Sequence, residues 1–181
     1  YDTLPIPNWM SYLSKLFTLM GIQFLFITLA MIGGIITQLF LGFTDINFGL
    51  YIKHLFGIDL LNYWFMAIIV LLIQNLTPNK YHGFFISALY FVLDIVVFIV
   101  LRVDHYLLRY GKIPNFTYSN MNGFGFNAET ILWYTVYWAF LGGIFILIST
   151  LLWRRNNETN LKFRFRIARQ SITRFQKASL G

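Results

Sequence analysis

Residues 65–73 read FMAIIVLLI, an unbroken apolar run inside a longer apolar segment from Leu60 to Leu76, and Pro78 follows shortly after it. A hydrocarbon core of about 30 Å is crossed by about 20 helical residues, each of which rises about 1.5 Å. The segment is close to that length and contains no charged residue. It therefore predicts a transmembrane helix, for which lipid rather than water is the main solvent.

Three more apolar segments of comparable length lie on either side of this one, at residues 17–41, 84–103 and 131–153. Only Asp94 and Arg102 are charged within them. Tyrosine and tryptophan gather at the segment ends, as they do at membrane interfaces. These aromatic residues are Trp9, Tyr12, Tyr63, Trp64, Tyr81, Trp133, Tyr134 and Trp153. The pattern predicts an all-α fold, a polytopic membrane bundle of four transmembrane helices with short interfacial helices.

The composition excludes an ordinary soluble domain. Hydrophobic residues make up 57% of the chain and charged residues 12%, whereas about a quarter of the residues of a soluble domain are charged. Eight of the 14 basic residues follow Trp153, so most of the net charge of +7 belongs to one tail. A basic tail beside a membrane segment favours an anionic lipid surface as its partner and not nucleic acid.

The distribution of positive charge predicts the orientation. Four spans place both ends of the chain on one side, together with Lys15, Lys80 and the tail, which makes ten basic residues. The other side holds four, namely Lys53, Arg102, Arg109 and Lys112. The positive-inside rule therefore predicts a multi-pass membrane protein with both ends in the cytoplasm.

The connecting segments differ in character. Residues 47–58 suit a short helix at the outer interface, residues 77–82 a tight cytoplasmic turn, and residues 104–130 an ordered external loop. The tail at 154–181 carries one apolar stripe at helical spacing, which predicts an amphipathic helix on the inner leaflet. Its expected lipid contacts are Arg154, Arg155, Arg166 and Arg169. A topology signal without a specific partner is the alternative interpretation.

The motifs of common enzymes are missing. The sequence has no G-x-x-x-x-G-K-[ST] loop, no H-E-x-x-H and no cysteine, and its three histidines fall in separate loops. We therefore expect no catalytic residue, no cofactor and no metal in this chain.

Asp94 is the acid inside a predicted span. A carboxylate at that depth costs about 2.5 to 3.5 kcal/mol on insertion scales unless it faces protein or water. It is either a proton or cation site on a substrate path, or a structural carboxylate that is protonated or hydrogen-bonded to Gln23, Gln74 or another span.

The first 16 residues read as a cytoplasmic lead-in. Residues 3–7 are TLPIP, and Lys15 opens the first span ten residues after Pro5. This arrangement resembles the coupling segment of type-2 ABC transporter permeases. The resemblance implies that the segment presses on a cytoplasmic ATPase and passes its closure to the first span. The residues that would do so are Leu4, Pro5, Ile6, Pro7, Trp9 and Lys15.

Four further stretches resemble a bacterial subgroup in which such a permease is joined to a zinc aminopeptidase-like domain. They are FGLYI (48–52), NKYHG (79–83), YSNMNGFG (118–125) and LWYTVYW (132–138). The resemblance implies that the chain is the interior of a larger permease half, which pairs with a second half or a second copy. ATP would be bound by a partner ATPase subunit, and any peptidase domain would lie outside this sequence.

These observations predict a permease component of an ATP-driven exporter. Two alternatives remain. The first is an ion-coupled secondary transporter or channel that uses Asp94, and the second is a membrane anchor for a fused enzyme domain.

Overall fold

The computed structural model describes residues 7–100, 106–114 and 125–153, and these residues form a helical bundle without any strand. The helices are α1 (Asn8–Phe40), α2 (Phe48–Tyr51), a π-helical segment (Ile52–Asp59), α3 (Leu60–Leu76), α4 (Lys80–Val100), a 3-10 turn (Tyr106–Leu108) and α5 (Gly125–Leu151). Four stretches are long and apolar enough to cross a membrane, namely Asn8–Phe40, Phe48–Leu76, Lys80–Phe98 and Ala128–Leu151. The predicted fold class is confirmed, and the chain is a multi-pass membrane protein.

Helix α1 is longer than the predicted first span, because it begins at Asn8 and not near Phe17. Pro7 precedes it in an extended conformation, with φ −65° and ψ 145°, and no residue from 8 to 16 is a proline or glycine that would break the helix. Its 33 residues correspond to a length of about 50 Å. The lead-in from residue 8 onward and the first span are therefore one continuous helix.

The second span is also longer than the sequence indicated. Asn47 caps its start, since its side-chain oxygen accepts a hydrogen bond from the Leu50 N–H at 3.2 Å. The short helix expected over residues 47–58 is present as α2 and the π-helical segment, but it continues directly into α3. No proline interrupts residues 48–76, so nothing forces the backbone to leave the helix.

Helix α3 lies at the centre of the bundle, where it contacts α1, α4 and α5. The buried core joins three helices, and its members are Tyr12, Leu16, Phe65, Ile68, Leu71 and Trp138. Gly83 lets α4 approach α3 closely, because a Cβ there would lie 2.7 Å from Thr77 Oγ1. Many large apolar side chains face outward, including Phe17 at 65% and Phe140 at 75% exposure. Lipid, not water, is the solvent that such a surface requires.

We call the two ends of the bundle the terminal end and the loop end. The terminal end holds the start of α1, the turn at 77–79 and the end of α5, and the loop end holds residues 41–47 and the start of α5. Several predicted site residues lie outside the described parts of the chain. They are Leu4, Pro5, Ile6, Arg154, Arg155, Arg166 and Arg169.

Candidate functional site

Residues 106–114 run back into the bundle between the helices. The Trp138 indole Nε1–H of α5 donates a hydrogen bond to the Lys112 carbonyl at 3.0 Å. The Tyr110 ring packs against Phe65, Trp138 and Phe145, with ring centroids 6.3, 5.5 and 5.1 Å away. Ile113 is only 6% exposed. This segment is thus held between α3 and α5 by aromatic packing and a hydrogen bond.

These contacts lie well inside the bundle, away from both ends of the helices that make them. Trp138 lies 13 residues before the end of α5 at Leu151, and Asp94 lies 14 residues after the start of α4 at Lys80. At about 1.5 Å per residue, both lie about 20 Å from the terminal ends of their helices. Irregular backbone between membrane-spanning helices is stable only where protein buries it. The sequence predicts an external loop over residues 104–130, and the described part at 106–114 packs between the helices; we call it the re-entrant segment.

Two glycines make room for the re-entrant segment. Gly111 has a φ of +72°, and a Cβ there would lie 2.9 Å from Phe65 Cβ. At Gly142 of α5, a Cβ would lie 3.1 Å from the Tyr110 hydroxyl oxygen. The first glycine supplies a left-handed turn that other residues rarely adopt. The lack of a side chain at Gly142 leaves the space that the Tyr110 side chain occupies.

Asp94 and Arg109 form an ion pair at this depth. Arg109 Nε donates to Oδ1 at 3.0 Å and its Nη2 donates to Oδ2 at 2.6 Å, which is a bidentate arrangement. The two side chains are 17% and 16% exposed, respectively. The guanidinium carbon also lies 3.9 Å from the centroid of the Phe98 ring. The bidentate geometry keeps the two side chains in direct contact.

The sequence did not identify this partner. The structural alternative was an Asp94 that is protonated or hydrogen-bonded to Gln23, Gln74 or another span. In the structure Gln23 Nε2 donates to the Tyr63 carbonyl at 3.1 Å, and Gln74 lines a cleft at the terminal end. The charge count places Arg109 in a loop. The signal that points to a basic partner is the cost of a lone acid in lipid, which requires a countercharge.

The ion pair holds the re-entrant segment against α4. A bidentate pair at membrane depth is expensive to separate, because each charge alone would face lipid or apolar side chains. Within residues 7–100, 106–114 and 125–153, no group of three His, Cys, Asp or Glu side chains could hold a metal ion. The ion pair can hold the re-entrant segment against α4 and would release it if the two side chains separated.

A second group of predicted residues lies at the terminal end. Pro7 and Trp9 are exposed, the latter at 54%, whereas Tyr12 is fully buried. The Lys15 ammonium lies 4.8 Å from the centroid of the Trp153 ring, and Tyr12 packs edge-on against the same ring at 5.6 Å. The start of α1 is thus packed against the end of α5 on one side, while Trp9 projects outward.

A polar contact lies just inside this end. Asn75 of α3 is 7% exposed and donates a hydrogen bond from Nδ2 to the Ser149 carbonyl of α5 at 2.7 Å. Ser149 is fully buried, as is Tyr12 of α1. Interhelical hydrogen bonds of this kind contribute about 0.6 kcal/mol in membranes and up to about 1.7. The bond ties α3 to α5 next to the buried start of α1.

The ion pair and the predicted coupling residues at the terminal end lie apart in the structure. Asp94 and Arg109 lie in the half of the bundle nearer the loop end, and Trp9 and Lys15 lie at the terminal end. The chain matches no family model, and comparisons with curated proteins and with solved structures find no match.

Proposed function

We propose that the chain is the membrane-spanning permease component of an ATP-driven transporter of the ABC type, and that it works as an exporter. The observation that supports this proposal best is the continuity of α1. One helix runs for 33 residues from Asn8, next to the coupling-like residues, across the bundle to Phe40. A displacement applied at its start reaches the centre of the bundle without passing through a flexible joint.

The packing of α1 allows it to transmit a displacement from its start to the bundle core. Trp9 is exposed where a partner subunit could push on it, and Tyr12 and Leu16, at 0% and 2% exposure, are buried in the core within the next two turns. Their neighbours in that core include Leu71 of α3 and Trp138 of α5. Movement of the start of α1 would therefore shift α3 and α5, the helices that hold the re-entrant segment.

In this proposal the ATPase is a separate cytoplasmic subunit that binds and hydrolyses ATP, and it contacts Leu4, Pro5, Ile6, Pro7 and Trp9. A second permease half, or a second copy of this chain, supplies the other wall of the path. Lipid covers the remaining apolar surface. Orientation with both ends in the cytoplasm, in a bacterial inner membrane, belongs to the same proposal, since the coupling residues must meet the ATPase there.

The test is purification of the full chain from its native membrane, followed by identification of any bound subunit with a nucleotide-binding motif and assay of its vanadate-sensitive ATP hydrolysis. Trp9→Asp should remove that subunit and the ATPase activity with it. Phe43→Asp is the matched control, because Phe43 is a similarly exposed aromatic residue, at 66%, beyond the other end of α1. Retention of the subunit in Trp9→Asp would count against the coupling role of this segment.

The ion-coupled alternative rests on the location of Asp94 at membrane depth. It predicts that Asp94→Asn abolishes transport driven by an ion gradient, whereas the ATP-driven proposal predicts that transport by the folded variant continues to follow ATP hydrolysis. The anchor alternative predicts that no ATPase subunit is bound at all. The purification and the Asp94 variant together separate the three functions.

A further inference from the structure

A cleft at the terminal end gathers two lysines. It has a volume of about 490 Å³, and its lining includes Lys15 of α1, Lys80 of α4 and Trp153 after α5. Gln74 and Thr77, at the end of α3, supply polar atoms to the same cleft. Its size falls within the range of about 300 to 1,000 Å³ that ordinary ligand pockets have.

The two lysines form no ion pair within residues 7–100, 106–114 and 125–153. The described acids lie on the other half of the bundle, about 20 Å or more from the terminal end along their helices or in the loop beyond α1. These acids are Asp45, Asp59, Asp94 and Glu129. A cleft with two ammonium groups attracts an anion.

The rest of the lining favours a lipid over a soluble anion. Tyr81 and Trp153 border the cleft, and such aromatic residues are enriched where a membrane helix meets the headgroup layer. Leu71 and Phe84 add an apolar wall. Phe84 is 72% exposed and belongs to the apolar outer surface of α4. The cleft thus combines cations at headgroup level with an apolar surface that continues along the membrane-facing helix.

We propose that this cleft binds the phosphate headgroup of an anionic phospholipid, with Lys15 and Lys80 on the phosphate and an acyl chain along Phe84. The site would hold α1 and α4 together through a lipid, since the two lysines belong to different helices. This proposal does not depend on the transport function.

The test uses the purified full chain in detergent and measures retention of dioleoyl phosphatidylglycerol by native mass spectrometry. Lys15→Gln and Lys80→Gln should each weaken binding about fivefold. Lys53→Gln is the matched control, because it removes the same charge from an exposed lysine near the loop end and should leave binding unchanged. All variants keep the basic tail, so any lipid bound there is the same in each.

Two further probes identify the source of the phosphate. Dioleoyl phosphatidylcholine, which carries the same phosphate without net charge, should bind more weakly and respond less to both lysine substitutions. Inorganic phosphate at millimolar concentration should not displace the lipid. Displacement would identify a soluble anion as the ligand and overturn the lipid assignment. Equal lipid binding by the lysine variants and Lys53→Gln would overturn the site itself.

A second measurement covers the case in which a lysine variant fails to fold. A photo-crosslinking benzoylphenylalanine at position 84 should capture phosphatidylglycerol in preference to phosphatidylcholine. The same group in place of Phe140, which is exposed at 75% on α5, should capture both lipids alike. No preference at position 84 would contradict the proposal. If the lysine variants kept the lipid but lost the ATPase subunit, the proposal would also be contradicted. The lysines would then be assigned to contact with that subunit.

Discussion

Arg109 and Asp94 are joined by two hydrogen bonds, from Nε to Oδ1 at 3.0 Å and from Nη2 to Oδ2 at 2.6 Å. The arginine belongs to the segment after α4, and the aspartate lies within α4, about 20 Å from its start. The pair therefore connects an irregular segment to a membrane-spanning helix at a depth where neither charge is stable alone. It explains how an acid and a base are both tolerated inside this bundle.

Removing one partner of this pair should destabilise the protein. In Asp94→Asn the guanidinium of Arg109 loses its countercharge in a site where it is 16% exposed. We expect the free energy of unfolding to fall by about 3 kcal/mol. Unfolding of the purified chain in mixed micelles with increasing sodium dodecyl sulfate, followed by circular dichroism, measures the change.

Two controls define that result. Asp59→Asn breaks a contact with His54 at 3.2 Å in which the aspartate is 35% exposed and the histidine 48%, and it should change stability by less than about 1 kcal/mol. The double variant Asp94→Asn with Arg109→Gln should regain part of the loss, because no charge is left unpaired. Equal losses of stability in Asp94→Asn and Asp59→Asn would show that the Asp94–Arg109 pair contributes no more than an exposed ion pair.

The contribution of Arg109 should not vary over the working pH range. A guanidinium stays protonated in proteins at any working pH, and the bidentate contact with Asp94 favours its charged form. The difference in unfolding midpoint between the unmodified chain and Arg109→Gln should therefore be the same at pH 7 and pH 9. If this difference in unfolding midpoint were smaller at pH 9 than at pH 7, Arg109 would be losing its charge.

Gly111 should not tolerate a side chain. Gly111→Ala combines a φ of +72° with a Cβ that would lie 2.9 Å from Phe65 Cβ, so we expect a loss of about 2 kcal/mol. Gly42→Ala is the matched control, since Gly42 has a φ of +83° but no atom within 4 Å of its Cβ. It should show the cost of the backbone strain alone, about 1 kcal/mol. Equal losses in the two variants would imply that the contact with Phe65 can relax.

Trp138 should hold the re-entrant segment in place through its indole nitrogen. Trp138→Phe keeps an aromatic ring but removes the hydrogen bond to the Lys112 carbonyl, and it leaves that partly buried acceptor without this donor. We expect a loss of about 1 to 2 kcal/mol and faster amide hydrogen exchange over residues 109–113. Trp133→Phe, at a position with 64% exposure, should change neither quantity. Unaltered exchange in Trp138→Phe would show that packing alone fixes the segment.

Much of the fold could be predicted from sequence because membrane helices are a local property. Runs such as residues 65–73 bury apolar side chains in lipid whatever surrounds them, and their backbone groups must bond within the helix. Element boundaries were less predictable. The start of α1 at Asn8 and the continuation of α3 back to Phe48 depend on the absence of proline from these stretches. Polar residues such as Asn8 and Lys53 therefore lie within the helices.

Fewer features of the site could be predicted from the sequence. The cost of Asp94 in lipid requires a partner, but the sequence does not say which residue supplies it. Nothing in the sequence distinguishes Tyr110 from other loop residues, and its packing depends on Phe65, Trp138 and Phe145, which are distant in sequence. Likewise, Lys15 and Lys80 meet at one cleft only because α1 and α4 both begin at the terminal end of the bundle.

The sequence by itself determined that the chain is an all-helical membrane protein with four long apolar segments, because hydrophobic length and helix formation are decided within each segment. Tertiary structure alone decided which charge neutralises Asp94, that residues 106–114 enter the bundle, and that two lysines from different helices share a cleft. These features arise from contacts between helices, and their energy depends on desolvated charges and close packing across distant parts of the chain.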